Sequence, residues 1–421
     1  MSGVRRLHGL LRNSILSFLL NGSATAISFF AIPITLKIMG LAMYGSFVFV
    51  QASAAIMFTL CTLQYWQGLL VEFPGKENSS RVLARQVWRS LSYEGVGLLA
   101  ALLLVLGLHL ARVPQAAGLD QLDLLLIVLS TLLPTLGSIV AFYRLTDRYQ
   151  VLLGAGLLCN LMRLGLLNVA QRYHPTVTAV ILSYALPEVL RFGYLGLSLL
   201  YRRQDLPGPV TGGGIDRGRI VSAGKWSTVQ AMADLPVANV DKILVGLALS
   251  PEALGIYNIL KRLYSIINIA TAPVYMNSIP EFARRINQAD LGGAFTLWRN
   301  TIFTLLPLSA AVGLSCYALR GYWTGYIYHD LIHYSRELLI VIVTAVIAGG
   351  FITSHALYWA LGKKRQSTAI TVSSNLIYLV LLLALSARHG LAGAVAAFLL
   401  QVAGVVLVKV LLLIREKRRS A

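Results

Sequence analysis

Four charged residues interrupt two long apolar stretches of this sequence: Asp241 and Lys242 in one, Lys261 and Arg262 in the next. The two pairs lie at comparable distances from the Ser250-Pro251 junction, so antiparallel helices would bring them to one level. Asp241 can form a structural ion pair with one cation, which leaves positive charge in excess. A purely structural network would tend toward neutrality, because unpaired buried charge is expensive. The excess suits a diphosphate: Arg262 offers a fork of donors, and Lys242 and Lys261 offer point charges. A solvated rim of charge is the alternative reading of the same residues.

Further charges lie in other apolar runs. Arg163 and Glu188 fall within about 8 Å of each other in depth on consecutive antiparallel helices, and Arg191 follows Glu188 by one helical turn. They could lock two helices together, or add Arg163 and Arg191 to the diphosphate-binding set. Asp234 stands near the middle of its run, just before Pro236, with Pro273 at similar depth in the next. Proline frees backbone carbonyls where a helix borders a cavity. A carboxylate there suits reversible protonation, so Asp234, together with Glu188, is a candidate for coupling to a proton or sodium flow. An Asp234 bonded to a neighbouring hydroxyl or amide is the alternative. Gln64 and Gln67 share a helix face, where they could line a vestibule or hydrogen-bond an adjacent helix. Tyr322, Trp323 and Tyr326, with Tyr328, His329, His333 and Tyr334 nearby, could stack on sugar rings or anchor the chain at the membrane interface.

Several other signals fail on spacing. His329 and His333 lack the intervening glutamate of a zinc peptidase, so no metal is expected. Gly218 to Trp226 resembles a phosphate loop, but the glycine spacing is one residue too long and Trp226 replaces the magnesium-binding hydroxyl. Cys61, Cys159 and Cys316 all lie in apolar runs, which excludes a disulfide framework. No catalytic constellation stands out, and neither an enzyme nor a cofactor is implied.

The elements that must carry these residues are membrane helices. Mean hydropathy is +0.70, with 57% hydrophobic and 13% charged residues, against roughly 25% charged in a soluble domain. Runs of about 20 apolar residues, the length that crosses the hydrocarbon, occupy 13–38, 43–70, 87–110, 122–143, 151–169 and 177–200. After a polar break at 204–219 they continue at 220–247, 254–279, 301–319, 338–361, 369–386 and 391–414. The reading is an all-α polytopic membrane protein of about twelve spans. Its domains are 1–203, a linker at 204–219 and 220–421 with a basic tail.

Net charge is +19. Roughly 24 of the 36 basic residues fall in alternate loops when both termini are placed in the cytoplasm, and about six fall in the others. That pattern points to the anionic inner leaflet as partner, with no role for nucleic acid.

Pro33-Ile-Thr-Leu-Lys37-Ile-Met-Gly40, followed by Tyr44-Gly45-Ser-Phe47, resembles the opening of bacterial polysaccharide flippases of the Wzx type. These belong to the multidrug/oligosaccharidyl-lipid/polysaccharide exporter superfamily. Asn239-Val-Asp241-Lys242-Ile-Leu-Val-Gly246, Leu254-Gly-Ile-Tyr257 and Ser278-Ile-Pro280 resemble the start of that family's second half. The resemblance implies two six-helix bundles forming a V around a central cavity in the bacterial inner membrane. It also implies that an undecaprenyl-diphosphate-linked oligosaccharide is moved to the periplasmic leaflet for O-antigen or capsule assembly, beside a polysaccharide polymerase and chain-length proteins.

A multidrug antiporter of the same fold is the first rival. Its cationic substrates would favour an acidic cavity, whereas the charges inside the runs are Arg163, Arg191, Lys242, Lys261, Arg262 and Lys409 against Glu94, Glu188, Asp234 and Asp241. A membrane-embedded polymerase, which would need a long outer loop, and a non-transporting scaffold are weaker rivals.

Overall fold

The structure, a computed structural model, describes residues 2–73, 80–116, 118–202, 217–269, 271–326 and 328–420. Lipid offers backbone amides no partners, so a chain this apolar must satisfy them internally. It does so with α-helices, and no strand occurs among the described residues. They are α1 Ser2–Cys61, α2 Tyr65–Glu72, α3 Ser80–Leu110, α4 Gln121–Leu132, α5 Gly137–Leu145, α6 Tyr149–Tyr173, α7 Val177–Arg202 and α8 Arg217–Leu235. There follow α9 Asp241–Ala248, α10 Pro251–Ile269, α11 Ala272–Asn287, α12 Leu291–Ala318, α13 Arg320–Tyr326, α14 Ser335–Gly350, α15 Ile352–Ala360 and α16 Lys364–Ser420.

The fold is that of an all-helical polytopic membrane protein. Eight helical stretches among the described residues are long and apolar enough to cross a bilayer. Two helices carry a pair of apolar runs each. α1 turns at Gly40 (φ 74°) and α16 at Gly390 (φ 58°), positions where a side chain would strain the backbone. Other runs are interrupted. The second breaks between Cys61 and Tyr65, the fourth at a short tight turn containing Pro134, and the seventh at a π-helical segment, Pro236–Val240.

Two compact units divide the chain, residues 1–232 and 233–421. In the first, α1 packs on α3 and α6, α6 on α7, and α4 on α7. In the second, α10, α12 and α16 pack on α14, and α11 packs on α15.

The boundary corrects the expectation that the second domain starts at 220. Ile220 is fully buried in the first unit's core with Tyr65, Leu69 and Tyr143, and Thr228 accepts the Gln64 amide at 2.9 Å. α8 can approach this closely because Gly68 lacks a side chain: a Cβ there would lie 2.2 Å from the Ile220 carbonyl oxygen. Backbone cannot yield as a side-chain tip can. Gly68→Ala is therefore expected to destabilise the first unit by about 1–3 kcal/mol, read as a lower unfolding temperature in micelles. An unchanged melting curve would refute this account of the contact. Most of the linker expected at 204–219 lies outside the described residues.

Candidate functional site

The second unit encloses a cavity of about 710 Å³. Its wall carries Lys242 from α9, Lys261 and Arg262 from α10, and Lys409 from α16, against the single lining carboxylate of Asp234 from α8. The broken seventh run forms one side. Pro236 has no amide hydrogen and opens the helix into a π-turn. The carbonyls freed by the break find partners on other helices: Asn375 Nδ2 donates to the Ala233 oxygen at 2.7 Å, and Lys261 Nζ donates to the Val237 oxygen. Gln401 Nε2 in turn donates to Asn375 Oδ1 at 2.9 Å. Asp234 is exposed and lines the cavity.

Asp241 lies behind this wall, with no exposed surface. Its Oδ2 accepts from the hydroxyls of Tyr257 at 2.8 Å and Tyr378 at 2.9 Å, and from Lys261 Nζ at 2.5 Å. Lys261 also stands 4.9 Å from the centre of the Phe398 ring, within cation–π range. The ion pair foreseen for Asp241 is thus present, and it corrects the expectation for Lys261. Two of that ammonium's three hydrogens are committed to a buried network, so Lys261 serves the packing of the π-helical segment, α9, α10 and α16. Lys242 approaches Asn239 Oδ1 at 3.5 Å, and Arg262 is exposed toward the cavity.

Two further cavity residues were not singled out as site residues from sequence. Lys409 is only 5% exposed, and its Nζ lies 3.0 Å from His355 Nδ1. Lys409 was visible as an in-run charge. His355 was not, because a histidine in an apolar run carries no signal until its neighbour on another helix is known.

In the first unit, Arg163 Nη2 meets Glu188 Oε1 at 2.6 Å and Arg191 Nη1 meets Oε2 at 3.2 Å. The Arg163 guanidinium also lies 5.1 Å from the Tyr184 ring centre. Both carboxylate oxygens of Glu188 are thereby engaged, which favours the helix-locking reading over a diphosphate site or an ion-coupling role for this trio.

Gln64 and Gln67 do not share a helix face. The helix is interrupted ahead of Tyr65 and Gln64 sits at the start of α2 in a non-helical conformation (ψ 56°). The break exposes backbone groups, and Thr228 meets one of them. Of the outer aromatics, Tyr322 is 70% exposed, while Trp323 Nε1 donates to the Cys316 oxygen at 2.8 Å. The Tyr326 side chain, like that of Pro273, lies outside the described residues.

Glu94 has a role that sequence reasoning missed. This carboxylate of α3, 1% exposed, accepts the Gly137 amide at 2.7 Å and the Ser138 amide at 3.1 Å. It caps α5 where the break at Pro134 leaves amides without partners.

Solved structures resemble the chain over almost its whole length. A multidrug resistance transporter of the MATE family and MOP superfamily, in its inward-facing conformation, matches with a TM-score of 0.62 at 12% identity, covering 96% of this chain and 94% of that one. The MATE multidrug transporter DinF-BH, solved in complex with a ligand, matches at 0.66 with 15% identity, covering 97% and 96%. This chain has the MATE transporter fold. A MOP superfamily transporter from Pyrococcus furiosus also matches, at a TM-score of 0.50 and 14% identity, covering 96% and 97%. Its binding pocket is of reverse polarity, which suggests a different function for that protein. No protein-family model and no curated protein matches the sequence.

Proposed function

We propose that this protein is a transporter that moves a lipid-linked oligosaccharide diphosphate from the cytoplasmic to the outer leaflet of a bacterial inner membrane. The observation that carries the reading is the cavity charge: Lys242, Arg262 and Lys409 face one carboxylate, Asp234, among the described lining residues, while Asp241 offsets Lys261 behind them. A cationic solute would find such a wall repulsive, whereas a diphosphate would offset its excess. Lys242 and Arg262 hold the phosphates, while the sugar passes through water and the lipid tail stays in the bilayer. With both termini cytoplasmic, two negative charges moving outward across an inside-negative potential gain about 4–5 kcal/mol per 100 mV.

Export of cationic drugs is the second reading, favoured by the multidrug transporters among the structural neighbours and by the exposed carboxylate of Asp234. Reconstitution separates the two. Proteoliposomes should flip a fluorescent polyprenyl-diphosphate sugar, and the Lys242→Gln, Arg262→Gln double variant should lose more than about tenfold of that rate. Each charge-assisted hydrogen bond removed contributes about 1.5–3 kcal/mol. Efflux of a cationic dye with no diphosphate flipping would instead establish the second reading.

A further inference from the structure

We infer that His355, Lys409 and Asp234 form a proton-exchange site in the second unit, and that proton uptake there is linked to the arrival of an anion in the same cavity. The anion is the diphosphate cargo proposed above, so the linkage rests on that reading.

The geometry dictates the protonation pattern. An ammonium has hydrogens to give and no lone pair to accept with. With Lys409 as an ammonium, Nζ donates to His355 Nδ1 at 3.0 Å, and the matching tautomer is a neutral imidazole with its hydrogen on Nε2. Adding a proton to Nδ1 would set two cations face to face and break this bond. Asp234 lines the same cavity within electrostatic reach of Lys409. One ammonium, one carboxylate and one neutral ring sum to zero charge, the arrangement that costs least at membrane depth.

Among the described residues, the remaining groups around His355 do not supply a second anion. Across α11 lies the Tyr275 ring, 6.4 Å away, and on α15 itself the Trp359 ring, 5.5 Å away. Among the described residues, the charged groups that α9 and α10 bring to the cavity are the cations Lys242, Lys261 and Arg262. A proton taken from cavity water onto Nδ1 thus raises a charge that nothing resident offsets. A phosphate entering the cavity offsets it and gives Lys409 a new acceptor. Anion and proton consequently favour each other, and the linkage is reciprocal.

The test reads the ring directly. The protein is labelled with 15N in the imidazoles of its seven histidines and placed in lipid nanodiscs, and the resonance that vanishes in His355→Gln identifies this ring. At neutral pH without ligand, the expected signature is the neutral Nε2–H form with a hydrogen-bonded Nδ1, and Lys409→Met should remove that hydrogen bond. Inorganic diphosphate should shift the ring to imidazolium. Its affinity, measured separately by calorimetry, should rise about a hundredfold relative to His355→Gln between pH 7.5 and 5.5, one proton being taken up per anion bound. A ring that is imidazolium without ligand, or blind to Lys409→Met, overturns the site. Diphosphate that binds while the ring stays neutral overturns the linkage and leaves the transport reading standing. Diphosphate that does not bind at all overturns both.

Discussion

Asp241→Ala is expected to lower the stability of the second unit by about 3–5 kcal/mol, the cost of breaking a buried ion pair from one side. The Lys261 ammonium would lose its counterion, and the hydroxyls of Tyr257 and Tyr378 would lose the oxygen they converge on. Asp241→Asn keeps an acceptor for the tyrosines but not the negative charge, so it should sit between wild type and alanine. Pairing Asp241→Asn with Lys261→Met removes both charges and should recover part of the loss. Unfolding in mild micelles provides the measurement. If the alanine variant unfolds with the wild-type midpoint, the network is not what holds α9, α10 and α16 together.

The second large effect is expected at Glu94. Glu94→Ala would leave the Gly137 and Ser138 amides without an acceptor in an apolar interior, at about 1–3 kcal/mol for each group left unpaired. Glu94→Gln retains a carbonyl oxygen and should lose much less. Hydrogen exchange at Gly137 and Ser138 distinguishes a released cap from general loosening: both amides should exchange early in the alanine variant and stay protected in the glutamine variant. Equal protection in all three proteins would mean that the cap contributes nothing. The Ser138–Ser90 hydroxyl contact at 2.7 Å remains in each variant and keeps α5 near α3.

The helical class and the positions of the runs could be read from hydropathy because the bilayer imposes both. The Arg163–Glu188 pair followed from depth alone, since consecutive antiparallel helices bring equal depths together. What failed were inferences about partners on distant helices. Lys261 reads as available because the sequence gives no hint that Tyr257 and Tyr378 gather on Asp241. Gln64 and Gln67 read as sharing a face because nothing in the residues around Thr62 announces a break. Pro236 did announce a break, but not that Asn375 would answer it. The boundary near residue 232 was hidden for a related reason. Hydropathy marks where a run begins, whereas Gly68 and Gly224, which let α8 approach α2, decide what the run packs against.

The turns at Gly40 and Gly390 also bear on how the chain is made. Each is a non-helical kink between two helices, and the connection is short: only a few residues, Arg388 and His389 among them at the second, separate the apolar runs. The first two runs, and likewise the last two, would therefore leave the insertion channel as ready-made hairpins. Lengthening either turn with a polar insert should separate the two insertion events, and a glycosylation or protease-access tag placed in that insert would record the order in which they occur.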